Sequence, residues 1–366
     1  MPSPLSGASL WVCCRRCGVS RGAGPGSGRG LRTVDVKRSD ESKQTFSFFL
    51  LPGFSMLAFS CAVEPLRVAN RLTGRTYYDW QIVTEDGGPA PASDRLRMLP
   101  DCALDACQSP DYFIVVGGMD IHRFRESPGI SALRRLERSG SRVGALSTGS
   151  YLLAWAGLLK GYRCTVHWEN LDAFREDFPE LDITGELFEV DRGRLTCSGG
   201  TASLDMMLSL IGERLGRDLA TQVAEQFIHE RIRETHDHQR MSLQGRLGIS
   251  HPKLLQVVEL METNLEEPLS RAELARRAAL SNRQLERLFR KYLARTPTRY
   301  YLELRLYRAR TLLKQTAMSI LNVALACGFV SASHFSKCYR EFFNKMPREE
   351  RQGRDQAAGA AEHSES

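Results

Sequence analysis

The chain carries SNRQLERLFRKYLARTP at 281–297 and SASHFSKCYREFFNKMP at 331–347, one pattern written twice, fifty positions apart. Ser281 matches Ser331, Leu285 matches Phe335, Arg287 matches Lys337, Phe289 matches Tyr339, Arg290 matches Arg340 and Pro297 matches Pro347. An internal repeat of this kind is one structural unit used twice. In each copy apolar residues fall at i, i+3, i+4 and i+7. They are Leu285, Leu288, Phe289 and Tyr292 in the first, and Phe335, Cys338, Tyr339 and Phe342 in the second. That spacing predicts a helix with one buried face. The serine that opens each copy suits a helix N-cap.

The faces left wet carry Asn282, Arg283, Arg287 and Arg290 in the first copy, and Ser333, His334, Lys337 and Arg340 in the second. Upstream of each lies a short small-residue helix, ELARRA or VALAC, and then a tight turn. A short helix, a turn and a polar-fronted second helix make a helix-turn-helix unit. Two amphipathic hairpins packed only for stability would show the same periodicity. Cationic, amide and hydroxyl side chains at the same two helix starts favour a DNA reader. The expected DNA-binding set is these eight residues with Ser281 and Ser331. Charge agrees: residues 251–351 hold 19 Lys and Arg against 10 Asp and Glu, while the whole chain is only +7. A phosphate-binding module needs that local excess.

Residues 253–351 resemble the DNA-binding domain of AraC/XylS-type transcription regulators. The resemblance is carried by ELARRAALSNRQLERLFRKYL, TPTRYYLELRLYRARTLLKQT and ACGFVSASHFSKCYREFFNKMPREER. It implies an all-α domain with two helix-turn-helix units joined by a helix, each laying a recognition helix on the major groove of double-stranded promoter DNA. RNA polymerase is the further partner it implies.

The chain of 366 residues has room for two ordinary domains, and 42% hydrophobic with 25% charged residues suits a globular protein. No apolar run reaches the roughly 18 residues of a membrane span, so a cytoplasmic protein is expected. Residues 1–43 are rich in Gly, Ser and Arg and are expected to be a disordered extension, like the tail at 352–366. The ten cysteines have no disulfide-framework spacing. Cys14 and Cys17 form a C-x-x-C with no second pair, and His236 and His238 lie in a polar stretch, so no metal and no cofactor are expected.

From Thr45 onward buried strands alternate with helices. TFSFFLLPG, DWQIVTEDGG, DYFIVVGG and RVGALSTGS read as strands with their turns. SMLAFSCAVEPLRVANRL (with Pro65 as a point of kinking or breaking), SALRRLERSG, YLLAWAGLL, LDMMLSLIGERLG and ATQVAEQFIHERIRE read as helices. This alternation predicts an α/β domain over 44–235, a parallel sheet covered by helices on both faces. The polar stretch 236–252 is the expected linker.

GALSTGS places Ser147 at a strand-to-helix turn, and His167 follows in TVHWEN. A serine so placed resembles a nucleophile elbow, which makes a Ser147/His167 amidase or hydrolase one reading. Against it, Ala145 stands where G-x-S-x-G needs glycine, and only proximity marks Glu169 or Asp172 as the third member. A redox sensor using Cys61, Cys164 or Cys197 is the other alternative.

The domain also resembles the class I glutamine amidotransferase-like fold, in the branch fused to AraC-type DNA-binding domains. FFLLPGFSMLAF, AVEPLRVANRL, DYFIVVGG, GALSTGSYLLAWAGLLKGYRCTVHWENLDAF and LTCSGGTASLDMML carry that likeness. Catalytic relatives have cysteine at the elbow and an acid from the first strand–helix loop. Here those positions hold Ser147 and Ala58, which implies a catalytic pocket reused to bind an effector. Phe54, Ser147, His167 and Trp168 are the expected lining, with Trp168 either stacking on a cationic nitrogen or packed in the core. SLQGRLGISHPKLLQVVELMETNLEEPLSR and RQLERLFRKYL are similar to regulators of betaine, carnitine and arginine catabolism. That resemblance implies an activator that responds to a small nitrogenous effector such as a betaine, carnitine or amino acid. The amidotransferase-like fold further implies a homodimer.

Overall fold

The computed structural model describes residues 42–351. Of the expected extension only residues 42 and 43 fall in that range; Cys14, Cys17 and the tail lie outside it.

The strands are β1 (Gln44–Leu50), β2 (Tyr78–Thr84), β3 (Ala90–Pro91), β4 (Arg97–Met98), β5 (Cys102–Ala103), β6 (Tyr112–Val116), β7 (Arg142–Leu146), β8 (Arg163–Cys164), β9 (Asp182–Ile183), β10 (Phe188–Asp191) and β11 (Arg194–Cys197). Seven of them form one sheet in the order β10-β11-β7-β6-β1-β2-β5, parallel except for the β10–β11 pair. Side chains alternate across it, as a period of two requires. Phe46, Phe48 and Leu50 of β1 face α1 (Met56–Thr73), α5 (Ala202–Leu215) and α6 (Arg217–Gln226). Phe49 and Leu51 face α2 (Pro128–Arg138), α3 (Ser150–Trp155) and α4 (Leu171–Asp177). Both faces are covered, so the strands read as continuous apolar runs. The α/β reading of this part of the chain is the observed fold.

Three local expectations change. Pro65 lies inside α1 without ending it, because Leu66, Val68 and Ala69 around it are buried against the sheet. ATQVAEQFIHERIRE is helical only to Gln226. Beyond it, buried Asp205 of α5 captures the chain: its carboxylate accepts from the Arg233 amide at 2.8 Å and from Arg233 Nε at 2.9 Å. The same carboxylate meets His229 Nε2 at 2.8 Å. These bonds outcompete a continued helix and draw residues 227–240 out as a strap. The stretch 236–252 is likewise fastened. Gln239 Nε2 donates to Thr165 Oγ1, Val166 O and Glu186 O, and α7 (Leu243–Leu247) forms within it.

The helices that follow are α8 (Pro252–Thr263), α9 (Arg271–Arg277), α10 (Asn282–Leu293), α11 (Pro297–Gln315), α12 (Ile320–Ala326) and α13 (Ala332–Phe343). They build two small cores that share α11. Tyr300 and Tyr301 near its start pack with α8, α9 and α10, whereas Leu306, Ala309, Leu312 and Leu313 pack with α12 and α13. This all-α part contains the two expected helix-turn-helix units.

The repeat is visible at each cap. Ser281 accepts from the Gln284 amide and Ser331 from the His334 amide, both at 3.2 Å. At the far ends Ala294 and Asn344 are both left-handed, with φ +52° and +54°. The register is 50 from Ser331 onward but 49 before it, since the capping serines of α9 and α12 are Ser270 and Ser319. The extra residue is Val330, in the turn of the second unit and 91% exposed.

Candidate functional site

The two helix-turn-helix units present their expected residues outward. In α10, Leu285 and Phe289 are buried while Asn282, Arg283, Arg287 and Arg290 are exposed. In α13, Phe335 and Tyr339 are buried while Ser333, His334, Lys337 and Arg340 are exposed. Arg290 is tied to Glu286 at 2.9 Å. Among the described residues Arg283, Arg287, Lys337 and Arg340 enter no ion pair, so their charge faces solvent. Ser281 and Ser331 are occupied as caps, with His334 edge-on to Phe329 at 5.7 Å between ring centroids. The first unit is held by α8. The second is held by Arg305 of α11, which donates to Cys327 O and Gly328 O at 2.7 Å and lies over the Phe329 ring.

A cavity of about 610 Å³ opens at the C-terminal end of β7, where parallel sheets place their ligands. Ser147 stands there at φ +59°, a left-handed backbone that costs a non-glycine residue about 1 kcal/mol. Its neighbours leave it little room to relax. A Cβ on Gly199 would lie 2.8 Å from Ser147 Cβ and 3.1 Å from its Cα. Ser55, Asp120, Thr148, His167 and Glu169 line the same space. Thr148 Oγ1 donates to Gly118 O at 2.7 Å and fixes the elbow's rim.

Two expected lining residues are elsewhere. Phe54 is fully buried with its ring against Phe59 in the core; its neighbour Ser55 lines the cavity in its place. Trp168 is 39% exposed, and its ring is covered by the Arg240 guanidinium at 4.6 Å. It is therefore neither core nor cavity wall: the cation over its face comes from the chain itself. Ala58 is buried in the first turn of α1, and no carboxylate replaces it.

His167 Nδ1 lies 3.4 Å from the Glu169 amide nitrogen and 3.8 Å from the Glu169 carboxylate. Burial holds this imidazole below its ordinary pKa, against the pull of Glu169. Among the described residues no hydrogen bond joins it to Ser147.

Residues 274–353 match a helix-turn-helix domain profile, and residues 47–213 match the DJ-1/PfpI family. The HTH-type transcriptional regulator GbdR of Pseudomonas aeruginosa is 52% identical over 318 residues, 87% of each chain. The HTH-type transcriptional regulators CdhR and ArgR of the same species are 49% and 46% identical. They cover 84% and 85% of this chain, and 91% and 94% of their own length. The chain belongs to the AraC-type transcriptional regulators that carry a DJ-1/PfpI domain.

This AraC-type regulator is a DNA-binding protein rather than an enzyme. The thiols of the alternative sensor are poor candidates as well. Burial pushes Cys164 and Cys197 up to about 12 and raises Cys61 too, so little thiolate forms near neutrality. Among the described residues no cluster of His, Cys, Asp and Glu could hold a metal ion; His236 instead faces Glu186 at 3.6 Å. No helix among them is long and apolar enough to cross a membrane.

Sequence reasoning missed Lys314 and Gln315 of α11, which also line the cavity. On an amphipathic helix their polarity reads as solvated surface. Only the packing of α4 against α11 reveals them. Ala173 is fully buried in the core of the second unit, and Asp172 lies 3.4 Å from Arg308.

Proposed function

We propose that this regulator activates catabolic genes in the cytoplasm when a small nitrogenous metabolite, such as a betaine, carnitine or amino acid, enters the elbow cavity. The observation that carries the reading is the cavity itself, built around a strained Ser147. Its lining has charges of both signs, Asp120 and Glu169 with Arg123 and Lys314, which suit a zwitterion. Ser147 and His167 are the effector-contacting residues we assign on the DJ-1/PfpI side, with Ser55, Asp120 and Glu169.

On DNA, residues at the start of a recognition helix reach base edges, and those further along meet phosphate. Asn282, Arg283 and Arg287 then read bases in the first unit, and Ser333, His334 and Lys337 in the second. Arg290 and Arg340 hold the backbone. The active form is a homodimer on paired operator sites, in contact with RNA polymerase. The amidotransferase-like fold's habit of pairing supports the dimer.

A thermal-shift screen of the full chain against glycine betaine, L-carnitine and L-arginine tests the effector reading. A ligand of the folded state at 100 times its Kd adds about 2.7 kcal/mol of stability, a clear rise in midpoint. No rise with any nitrogenous metabolite in the screen overturns it. Sedimentation with and without promoter DNA tests the dimer, which a strictly monomeric protein would remove.

A further inference from the structure

We propose that the DNA-binding half completes the effector site: Lys314 and Gln315 at the end of α11 contact the effector, and its anionic group competes with Glu350 for Lys314. The proposal rests on the effector reading above and adds how occupancy reaches DNA. Both residues line the elbow cavity, although they lie on the helix that joins the two DNA-reading units. Gln315 brings an amide whose carbonyl oxygen is buried with no hydrogen-bond partner, so a donor entering the cavity gives it reason to turn.

Lys314 is the movable part. Its side chain is 50% exposed, and Nζ lies 3.2 Å from Glu350. The Glu350 side chain is only 4% exposed and holds three partners. Arg310 Nε lies 3.0 Å away, and the buried Tyr339 of α13 donates its hydroxyl at 3.2 Å. Burial alone would raise this carboxyl, but Arg310 and Lys314 together hold it below the usual range. If Lys314 swings to an anion in the cavity, Arg310 and Tyr339 still satisfy Glu350, so the exchange leaves no buried charge alone. What changes is the hold on Tyr339, and with it the seating of the second recognition helix. The coupling needs no long pathway, because one lysine belongs to both sites.

Titration calorimetry of the full chain with glycine betaine, L-carnitine and L-arginine decides the matter. The variants are Lys314→Met, Gln315→Leu, Glu350→Gln and, on the opposite wall, His167→Ala, each checked for folding by its ligand-free unfolding midpoint. Lys314→Met is expected to weaken the bound compound tenfold or more, and Gln315→Leu severalfold. Glu350→Gln, which frees the lysine, is expected to tighten it severalfold. If His167→Ala weakens binding while Lys314→Met and Gln315→Leu keep the native affinity, the cavity binds effector without α11 and the inference falls. Unchanged or weaker binding by a folded Glu350→Gln chain overturns the competition. A native chain that binds none of the three fails at the effector reading itself and takes the inference with it.

Discussion

Ser147 holds left-handed backbone beside the cavity, while Ala279 and Ala294 hold it in a turn and at a helix end away from that cavity. The cost of a Cβ there is the same kind in all three. Ala279→Gly and Ala294→Gly should each raise unfolding stability by about 0.5–1 kcal/mol, read from urea midpoints. Ser147→Gly should gain a similar ~0.5–1 kcal/mol yet weaken the effector, because the hydroxyl leaves with the strain. If effector affinity survives that change, Ser147 is not a contact. The elbow was legible in GALSTGS, since small residues crowd a serine between an apolar strand and a helix. Phe54 was misplaced by one position because the turn after β1 sends alternate residues inward, and no local signal says which. Trp168 misled for another reason: the cation over its ring comes from Arg240, seventy-two residues along the chain.

Among the elements, α11 carries the most. Its Arg310 and Lys314 share one buried carboxylate with Tyr339 of α13, so Glu350→Gln should destabilise the chain by about 1.5–3 kcal/mol at neutral pH. The sign with pH follows from the depressed folded-state pKa of Glu350. Its contribution is present above the ordinary glutamate value and is lost as pH falls through the lower folded one. The gap between native and Glu350→Gln stability should therefore narrow below about pH 4.5. A gap that stays constant down to pH 3 would deny the ion pairs their part. On the recognition helices, Arg283→Ala should cost about 1–3 kcal/mol and relax preference at one base position. Arg340→Ala should weaken every sequence about equally and flatten the salt dependence. A panel of single-base operator variants across a salt series separates the two, and reversed behaviour would sink the division of labour. These helices were readable because apolar spacing and capping serines act within one turn. The helix predicted through residues 227–234 failed because its competitor, Asp205, is distant in sequence.

For the whole molecule, the strap at 227–240 carries the chain from the α/β half to the DNA-binding half while fastened along the first. It is pinned by Asp205 at one end and by Gln239 and Arg240 at the other, behind the wall that holds His167. Asp205→Ala should cost about 3–5 kcal/mol, since it leaves Arg233 without its buried partner. It should also speed tryptic cleavage at Arg231 and Arg233. A cleavage rate equal to the native one would show the strap is held elsewhere. The two halves could be read from composition and repeat alone, but their joint could not, because every contact that makes it spans dozens of residues. The single added residue in the second turn, Val330, has a practical outcome for anyone recombining these modules. A graft of one recognition segment onto the other must be cut after the turn, at Ser281 and Ser331. A cut upstream would carry the added residue across and change the length of the host's turn, and with it the path by which the chain enters the recognition helix.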